Sequence, residues 1–481
     1  MANACYVQKD AAVTALTHCI SRLLLPVLLL ALTVLTAPLA AQDADSNVFG
    51  VVEGFWLPDD VCEIGAGWER IIFSWAQHQP AGPEDWHTLN VDDRWLEAAR
   101  ACDREVVAVL KDTPQWATAG LAGAGAPRGL YLPTDDPGNV WANFVRRAAE
   151  YYRERGVRRF VIWNEPDITR DTYGYEFEGS LEDYARLLKV AALAAREGNP
   201  DARIHIAGTT YWHDVNEGRR LYLDRLLELL AADPEAEANG YYFDAVTLHI
   251  YFRAETVYQI VDETRRLLDG YGLADKSIWL DETNASPNLD PQWPVTRPRW
   301  QITLDQQAAF LVQAAGLGLA AGADHIGVYK FFDWTLPPGD EAFGLVRVDG
   351  SRRPAFAAWA MIGEQLNGVT RAQVADTPRA LAVLLERDDG QTVLIAWSRG
   401  VQASVLRASA TASQSHLLDQ YGKMVTLAPV EGSYSLTLPG ALCHPVDGCP
   451  VGGYVSLLVQ PSGEMTVEEW TTEGPVPLVF D

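Results

Sequence analysis

The sequence predicts a (β/α)8 barrel of the TIM type followed by a C-terminal antiparallel β-sandwich. Two residue patterns, one after the other along the chain, indicate this order. Up to about residue 366, short apolar runs alternate with stretches that place apolar residues near i, i+3, i+4 and i+7, as expected of strands joined by helices. From about Asn367 onward, short alternating runs are separated by turn sequences such as DDG and EGS, which is typical of a sandwich.

Eight strand-like runs support the barrel prediction. They are NVFGVVEGFW, ERIIFSW, REVVAVL, RRFVIW, RIHIAGT, DAVTLHIY, SIWLDE and HIGVYKFF. Helical patterns such as VWANFVRRAAEYYRERG and LEDYARLLKVAALAARE lie between them, and eight such units over about 250 residues or more favour a closed parallel barrel. The connection LPDDVCEIGAG after the first run is too short for a full helix, so we expect a degenerate first unit.

The N-terminus has the features of a targeting segment. Arg22 precedes a long apolar run, and small residues at 37–41 are suited to cleavage, so residues 1–41 are predicted to be a signal peptide. Pro26 breaks the apolar run, which is also short for a membrane span, but an uncleaved anchor is the alternative. The remaining predicted segments are a linker at 42–47, the barrel at 48–366, the sandwich at 367–465 and a C-terminal tail at 466–481.

The charge balance restricts the partners that this chain could have. Apolar residues make up 48% and charged residues 21% of the chain, which is ordinary for a globular protein. The formal net charge of -26 repels phosphates, so nucleic acids and polyanionic surfaces are not expected partners. Neutral partners are favoured, and no second apolar run is long enough to give the mature chain a membrane span.

The cysteines indicate disulfides rather than a metal site. Two of the six cysteines lie in the predicted signal peptide, and the other four allow three connectivities. We predict the pairs Cys62–Cys102 and Cys443–Cys449, the second of which brackets the short segment HPVDG. None of these cysteines lies near a histidine at metal-ligand spacing, so a zinc site is not expected.

Two glutamates at strand ends are the strongest candidates for chemistry. The run VIWNEPDI ends at Glu165, because Pro166 cannot continue a strand ladder. Glu282 lies at the end of the seventh run, SIWLDE. The carboxyl ends of barrel strands line the active site of such folds. Two carboxylates converging on one pocket are what glycoside hydrolysis requires. The alternative for Glu165 is a structural ion pair at the barrel rim.

The segment WNEPD, together with an acidic residue that closes strand seven, resembles clan A of the glycoside hydrolases. The resemblance extends to GWERIIFSW, KDTPQWA, LHIY and FGLVRVDGSRRPAF, and it covers nearly all of residues 48–365. The chain is most similar to family 39, and family 5 is also similar. The resemblance implies a retaining double displacement with Glu165 as acid/base and Glu282 as nucleophile.

The resemblance also suggests roles for residues around the two glutamates. Arg70 would hold the nucleophile ionised, because a nearby cation lowers a carboxylate pKa; alternatively, it bridges the barrel to a helix. Tyr251 would hydrogen-bond the nucleophile, and His249, on the same face of strand six, would line the sugar site unless it is a core residue. Asn164 is expected to hydrogen-bond the 2-hydroxyl of the sugar.

Aromatic residues near strand ends are candidates for sugar platforms, since sugars present flat C–H faces that pack on rings. Trp334 is predicted to end strand eight, where the clan places a platform under the reacting sugar. Trp116 is also a candidate substrate-binding residue, although large aromatic residues commonly fill barrel cores instead.

Two charged residues are harder to place from the sequence. Adjacent residues of a strand point to opposite sides, so only one of Asp281 and Glu282 is expected to face the barrel axis. Lys330 lies in an otherwise apolar eighth run, where it could contact substrate, pair near Asp333 or face the helices.

The sequence therefore favours a secreted, extracytoplasmic retaining glycoside hydrolase that acts on an oligo- or polysaccharide of a neutral, hemicellulose type. Acid-assisted displacement needs no cofactor, and neither a cofactor nor a metal is expected. The alternative function is a non-catalytic carbohydrate-binding protein of the cell surface that kept the barrel, because one fold hosts many functions. An esterase is not expected, since the chain has no Gly-x-Ser-x-Gly elbow.

Overall fold

A computed structural model of the chain describes residues 47–296, 298–334, 339–472 and 474–480. The predicted signal peptide and nearly all of the predicted linker lie outside these residues. The described chain consists of a closed barrel followed by two antiparallel sheets, so the predicted fold class is confirmed.

Eight parallel strands close the barrel, each paired with the next and the last with the first. They are β1 (Phe49–Val52), β2 (Trp68–Ser74), β3 (Glu105–Lys111), β4 (Arg159–Ile162), β5 (Arg203–Thr209), β6 (Ala245–Tyr251), β7 (Ser277–Asn284) and β8 (His325–Val328). At the closure, Phe49 is in register with Ile326 and Gly50 with Gly327. The strand segments correspond to the eight predicted runs.

Helices surround the barrel. They are α1 (Pro58–Glu63), α2 (Trp75–His78), α3 (Asp93–Ala101), α4 (Val140–Arg153), α5 (Leu181–Gly198), α6 (Trp212–Asn216), α7 (Tyr222–Ala231), α8 (Ala254–Gly270), α9 (Leu304–Ala320) and α10 (Pro354–Gln365). Two 3-10 turns cover Gln115–Ala117 and Glu237–Tyr242. The six-residue α1 is the short first unit that the sequence predicted. None of the helices in the described ranges is both long and apolar enough to span a membrane.

Capping residues set where the longer helices begin. Ser180 and Asp183 form a reciprocal capping box at the start of α5, and Thr303 and Gln306 do the same at the start of α9. Nearly every residue of α9 is buried, because this helix packs against the neighbouring helices on the barrel side and against strands of the sandwich on the other. The core is therefore continuous from the barrel into the adjoining sheet of the sandwich.

The C-terminal region contains a six-stranded and a four-stranded antiparallel sheet. Their strands are β9 (Val369–Asp376), β10 (Ala380–Arg387), β11 (Gln391–Ser398), β12 (Ser404–Ser409), β13 (Ser415–Asp419), β14 (Met424–Leu427), β15 (Ser433–Leu438), β16 (Ser456–Pro461), β17 (Val467–Thr471) and β18 (Gly474–Pro477). The strand orders are β14-β13-β16-β11-β10-β9 and β15-β12-β17-β18. Residues 466–481, expected as a loosely held tail, thus contribute two strands, because Val467, Glu469 and Leu478 are buried in the sandwich.

Both predicted disulfides are confirmed. Cys62–Cys102 joins α1 to the end of α3, and Cys443–Cys449 closes a short loop in the sandwich. The paired cysteines are consistent with an extracytoplasmic location, where disulfides form and persist.

The two disulfides are expected to differ in how much they stabilise the protein. Replacing Cys62 and Cys102 with serine should lower the free energy of unfolding by about 4 kcal/mol, because this bond closes a 40-residue loop. The same change at Cys443 and Cys449 should cost about 2 kcal/mol, since that loop spans 6 residues. Chemical denaturation under oxidising conditions measures both values, and equal losses would contradict the ranking.

A buried histidine behind β2 makes stability depend on pH. His78 Nδ1 lies 2.7 Å from the Ser74 carbonyl oxygen, which can only accept, so Nδ1 carries the proton. Nε2 then accepts a hydrogen bond of 2.7 Å from the Tyr152 hydroxyl. Burial lowers the pKa of His78 to about 4, so the imidazole is neutral in the folded protein.

We expect the stability that neutral His78 contributes to be complete above pH 6.5 and to be lost as the pH falls towards about 4. In this window the unfolded chain binds a proton at residue 78 and the folded chain does not, so the free energy of unfolding falls by about 3 kcal/mol. Urea denaturation from pH 7 to 4.5 tests this. The stability difference between the wild type and His78→Gln should narrow as the pH falls, and a constant difference would refute the assignment.

Candidate active site

The site lies at the carboxyl end of the barrel, where Arg70 connects three strands. Arg70 is on β2 and is only 4% exposed. Its Nη2 atom lies 2.5 Å from Glu282 Oε1 on β7 and donates a 3.2 Å hydrogen bond to Asn164 Oδ1, which follows β4. Its Nη1 atom lies 3.1 Å from Asp281 Oδ2. Arg70 therefore faces the barrel axis and does not bridge to a helix.

The structure corrects the expectation that only one of Asp281 and Glu282 faces the axis. Both carboxylates contact Arg70 because β7 has an irregular register at this point. Between Leu280 and Thr283, β7 contains one residue more than the paired stretch of β6. It also contains one residue more than the paired stretch of β8, on its other side. Such a bulge interrupts the alternation of side chains and turns two consecutive residues towards the same side.

The two candidate catalytic carboxylates lie close together across the barrel. Glu165 and Glu282 each place an oxygen within 4.8 Å of the other and of a ring nitrogen of His249. His249 Nδ1 is 2.7 Å from Glu165 Oε1 and 3.6 Å from Glu282 Oε2. A separation of about 5 Å is characteristic of retaining glycosidases, whereas inverting enzymes hold their carboxyl groups about 6.5–9.5 Å apart.

His249 is part of this cluster and not of the apolar core. Burial would lower the pKa of His249, but the carboxylates of Glu282 and Asp281 outweigh that effect and raise it well above its ordinary value. Burial likewise raises the pKa of Glu282 above 4.5, against the opposing pull of Arg70 and His249. The cluster therefore places one guanidinium and one imidazole among three carboxylates in a desolvated space, and Arg70 Nη1 donates to His249 Nε2 at 3.2 Å.

Gly208, which sequence reasoning missed, positions both Glu165 and His249. A Cβ atom at residue 208 would lie 2.1 Å from His249 Nε2, so only glycine leaves room for the imidazole. The Gly208 carbonyl also accepts a 3.0 Å hydrogen bond from the backbone N–H of Glu165. Its position near the end of the fifth run, in RIHIAGT, was the available signal.

Two tyrosines border the carboxylates. The hydroxyl of Tyr251 donates a hydrogen bond to Glu282 Oε2, the contact that the resemblance implied. The ring of Tyr329, immediately after β8, lies 6.1 Å from the ring of Tyr251 and was missed in the sequence. Burial and the nearby carboxylate of Glu282 raise the pKa of Tyr329, so its hydroxyl is protonated and able to donate.

Each of the two candidate tryptophans packs against another tryptophan ring. Trp334 lies in the loop after β8, not at the strand end, and is 42% exposed. It stacks on Trp56 with ring centres 4.6 Å apart. Trp116 packs edge-on against the buried Trp75 and donates a 2.6 Å hydrogen bond to the Gln79 carbonyl. Trp334 thus belongs to an exposed aromatic pair, and Trp116 to a half-buried one.

Backbone strain is concentrated at this end of the barrel. Six residues other than glycine adopt φ between 41° and 77° within three residues after the carboxyl end of a barrel strand, namely Glu53, Asp112, Trp163, Glu165, Tyr211 and Phe252. Such conformations cost about 1–3 kcal/mol each and are retained where the surrounding structure requires them, as at functional sites. At Glu165 the strained turn is what directs the carboxylate towards His249.

Glu165, His249 and Glu282 also have the spacing of metal ligands among the described residues. Arg70 Nη2 lies 2.5 Å from Glu282 Oε1 and Arg70 Nη1 lies 3.2 Å from His249 Nε2, so a permanent cation already contacts two of these three residues. Acid-assisted displacement by two glutamates uses no metal ion.

The comparisons with known proteins concern the fold. No family model matches the chain, and no curated protein matches it. A solved family 39 glycoside hydrolase from Bacteroides cellulosilyticus WH2 is similar with a TM-score of 0.66 and 15% identity, over 87% of this chain and 82% of that one. A family 30 endoxylanase from Clostridium papyrosolvens C71 is similar with a TM-score of 0.58 and 14% identity, over 87% of this chain and 98% of that one. A monomeric β-xylosidase from Caulobacter crescentus CB15 is similar with a TM-score of 0.57 and 15% identity, over 89% of this chain and 98% of that one.

These similarities show that the chain shares its fold with solved glycoside hydrolases. The resemblance to family 39 that the motifs indicated is thereby confirmed at the level of the fold.

Replacing Arg70 with methionine is expected to lower the free energy of unfolding by about 3–5 kcal/mol, because buried carboxylates would lose their cation. Adding Glu282→Gln to Arg70→Met should restore part of this loss by removing one of those charges. Arg104→Met is a matched control, since Arg104 pairs at 3.0 Å with the equally buried Glu69 elsewhere in the barrel. Chemical denaturation of Arg70→Met and Arg104→Met, each with and without Glu282→Gln, tests this against the wild type. If Glu282→Gln recovers stability in the Arg104→Met background as well, the coupling of Arg70 to Glu282 is not specific.

Proposed function

We propose that this protein is a retaining glycoside hydrolase with Glu165 as acid/base and Glu282 as nucleophile. The observation that carries the proposal is the distance between the two carboxylates, at most 4.8 Å between an oxygen of each. An inverting enzyme needs room for a water molecule between its two carboxylates, and this spacing leaves none. The spacing suits direct attack by one carboxylate on the anomeric carbon.

In the first step, the carboxylate of Glu282 attacks the anomeric carbon while the bond from that carbon to the leaving oxygen breaks. Glu165 transfers its proton to the leaving oxygen, and a glycosyl ester forms on Glu282. Arg70 and the Tyr251 hydroxyl bind the two oxygens of Glu282, so they hold the carboxylate in place and stabilise its charged form before attack.

In the second step, water attacks the anomeric carbon and the ester bond to Glu282 breaks. Glu165, now a carboxylate, takes a proton from that water, and this restores the starting state. Asn164 accepts from Arg70 through Oδ1, which orients its amide nitrogen as a donor to the 2-hydroxyl of the sugar. His249 donates to Glu165 through Nδ1 and so keeps the acid/base in position through both steps.

The proposed substrate is a neutral glycan of the hemicellulose type. Among proteins of the same fold are a β-xylosidase and an endoxylanase, and the acidic net charge of this chain favours a neutral substrate over a polyanionic one. We place the protein outside the cytoplasm, since both disulfides require an oxidising compartment and the N-terminus has signal-peptide features.

The proposal is tested with aryl β-xylosides, β-glucosides, β-mannosides, β-galactosides and α-arabinosides as substrates. Glu282→Ala should lower kcat by about 10⁴-fold or more, and azide should restore turnover with an inverted glycosyl azide product. Glu165→Ala should lose about 10²–10⁴-fold on substrates with poor leaving groups. On dinitrophenyl glycosides, which leave without protonation, it should keep most of the wild-type kcat/KM, whereas kcat should fall because no base then activates water in the second step.

Two outcomes would contradict this assignment. Activity that survives in Glu282→Ala would mean that another carboxylate is the nucleophile. If the wild type hydrolyses neither aryl glycosides nor xylan but still binds xylan, a non-catalytic carbohydrate-binding protein is favoured.

A further inference from the structure

A lysine–glutamate pair lies at the junction where the barrel closes. Lys330 Nζ is 3.1 Å from Glu53 Oε2, and the two side chains are 12% and 22% exposed. Glu53 immediately follows β1, and Lys330 is the second residue after β8. Each charge therefore stands at the carboxyl end of a barrel strand, the end at which Glu165 and Glu282 also lie.

Barrel closure does not depend on this ion pair. Strands β1 and β8 are already in parallel register through Phe49, Gly50 and Val51, and the Phe331 N–H donates a 2.9 Å hydrogen bond to the Val52 carbonyl. A partly buried ion pair contributes little net stability, because its desolvation offsets most of its Coulombic attraction. A role in holding the strands together does not account for two charges at this position.

The pair borders the carboxylate cluster through two aromatic rings. Lys330 Nζ lies 6.0 Å from the centre of the Tyr329 ring. That ring lies 6.1 Å from the ring of Tyr251, whose hydroxyl donates to Glu282. After burial, the carboxylates of Glu282 and Glu53 raise the pKa of the Tyr329 hydroxyl, so both carboxylates act on this residue.

The backbone conformation of Glu53 favours a functional role for this residue. Glu53 adopts φ 58°, in the left-handed region that glutamate rarely occupies. Its position is otherwise fixed by a hydrogen bond of 3.3 Å from its N–H to the carbonyl of Arg70, the central cation of the site. This hydrogen bond ties the backbone of Glu53 to β2, the strand that holds Arg70.

We propose that Glu53 and Lys330 form a hydroxyl-binding subsite for a sugar ring that carries two adjacent unsubstituted hydroxyls. An ammonium group has three donors, and two remain after one is used on Glu53. A carboxylate has acceptor capacity on both oxygens, so one hydroxyl accepts from Lys330 while its neighbour donates to Glu53. The inference rests on the proposed glycosidase function, and it names a structural requirement of the substrate.

The subsite is tested by pairing variants with substrates that lack single hydroxyls. The substrate is the aryl glycoside that the wild type hydrolyses, compared with its 2-, 3- and 4-deoxy analogues. Lys330→Met and Glu53→Gln should each lower kcat/KM about 10- to 100-fold on the parent substrate, because each removes a charged hydrogen bond. On the analogue that lacks the contacted 3- or 4-hydroxyl, the same variants should lose about twofold or less. On the 2-deoxy analogue they should retain the full penalty, because that hydroxyl is assigned to Asn164.

A matched control is available on the other side of the protein. Lys189 pairs at 2.7 Å with both Asp233 and Glu235, and the Lys189 and Asp233 side chains are 15% and 22% exposed, so Lys189→Met removes partly buried ion pairs away from the site. Its kcat/KM should equal that of the wild type on every substrate. Equal penalties for Lys330→Met on the parent, 3-deoxy and 4-deoxy substrates would overturn the proposal and leave the pair a structural role.

Failure of the proposed function can be told apart from failure of the subsite. If the wild type hydrolyses none of the glycosides, the enzymatic function fails, and titration calorimetry with xylohexaose then decides the subsite. Binding weakened about 10-fold or more in Lys330→Met and unchanged in Lys189→Met supports the subsite. Equal binding in all three proteins, or no binding to the wild type, overturns it.

Discussion

The ionised guanidinium of Arg70 is the constraint on which the site depends. An arginine that is almost fully buried must be surrounded by acceptors, and here Asp281, Glu282 and Asn164 provide them from two other strands. The same contacts fix the nucleophile candidate and the residue beside the acid candidate Glu165. The same contacts therefore position the candidate catalytic residues and neutralise a buried charge.

This arrangement requires local departures from regular barrel geometry. The bulge in β7 turns two consecutive acids towards Arg70, and the absence of a side chain at Gly208 admits the imidazole of His249. Left-handed backbone at Glu165 ends β4 so that its carboxylate meets that imidazole. Each departure costs stability locally, and the continuous core beneath it, which extends into the sandwich, supplies the compensation.

The loops above the carboxylates are held by a second buried ionic network. Arg353 contacts both Asp290, in the loop after β7, and Asp333, in the loop after β8, at 2.8 and 2.6 Å. Arg347 also contacts Asp290, at 2.7 Å. The rim of the site is thus anchored from the segment that leads into α10, whereas the stacked Trp56 and Trp334 remain exposed to solvent.

The sequence by itself determined the order of barrel and sandwich, both disulfide pairs and the strand-end positions of Glu165 and Glu282, because periodicity, spacing and strand termination are local properties. It also assigned residues 466–481 to a tail, since their two short strands gain burial only against the rest of the sandwich. Only the tertiary structure decided that Asp281 joins Glu282 on Arg70, that Trp334 stacks on Trp56 and that Lys330 meets Glu53. These depend on a register bulge and on loops that bring distant residues together, and neither is encoded in the residue pattern of a single strand.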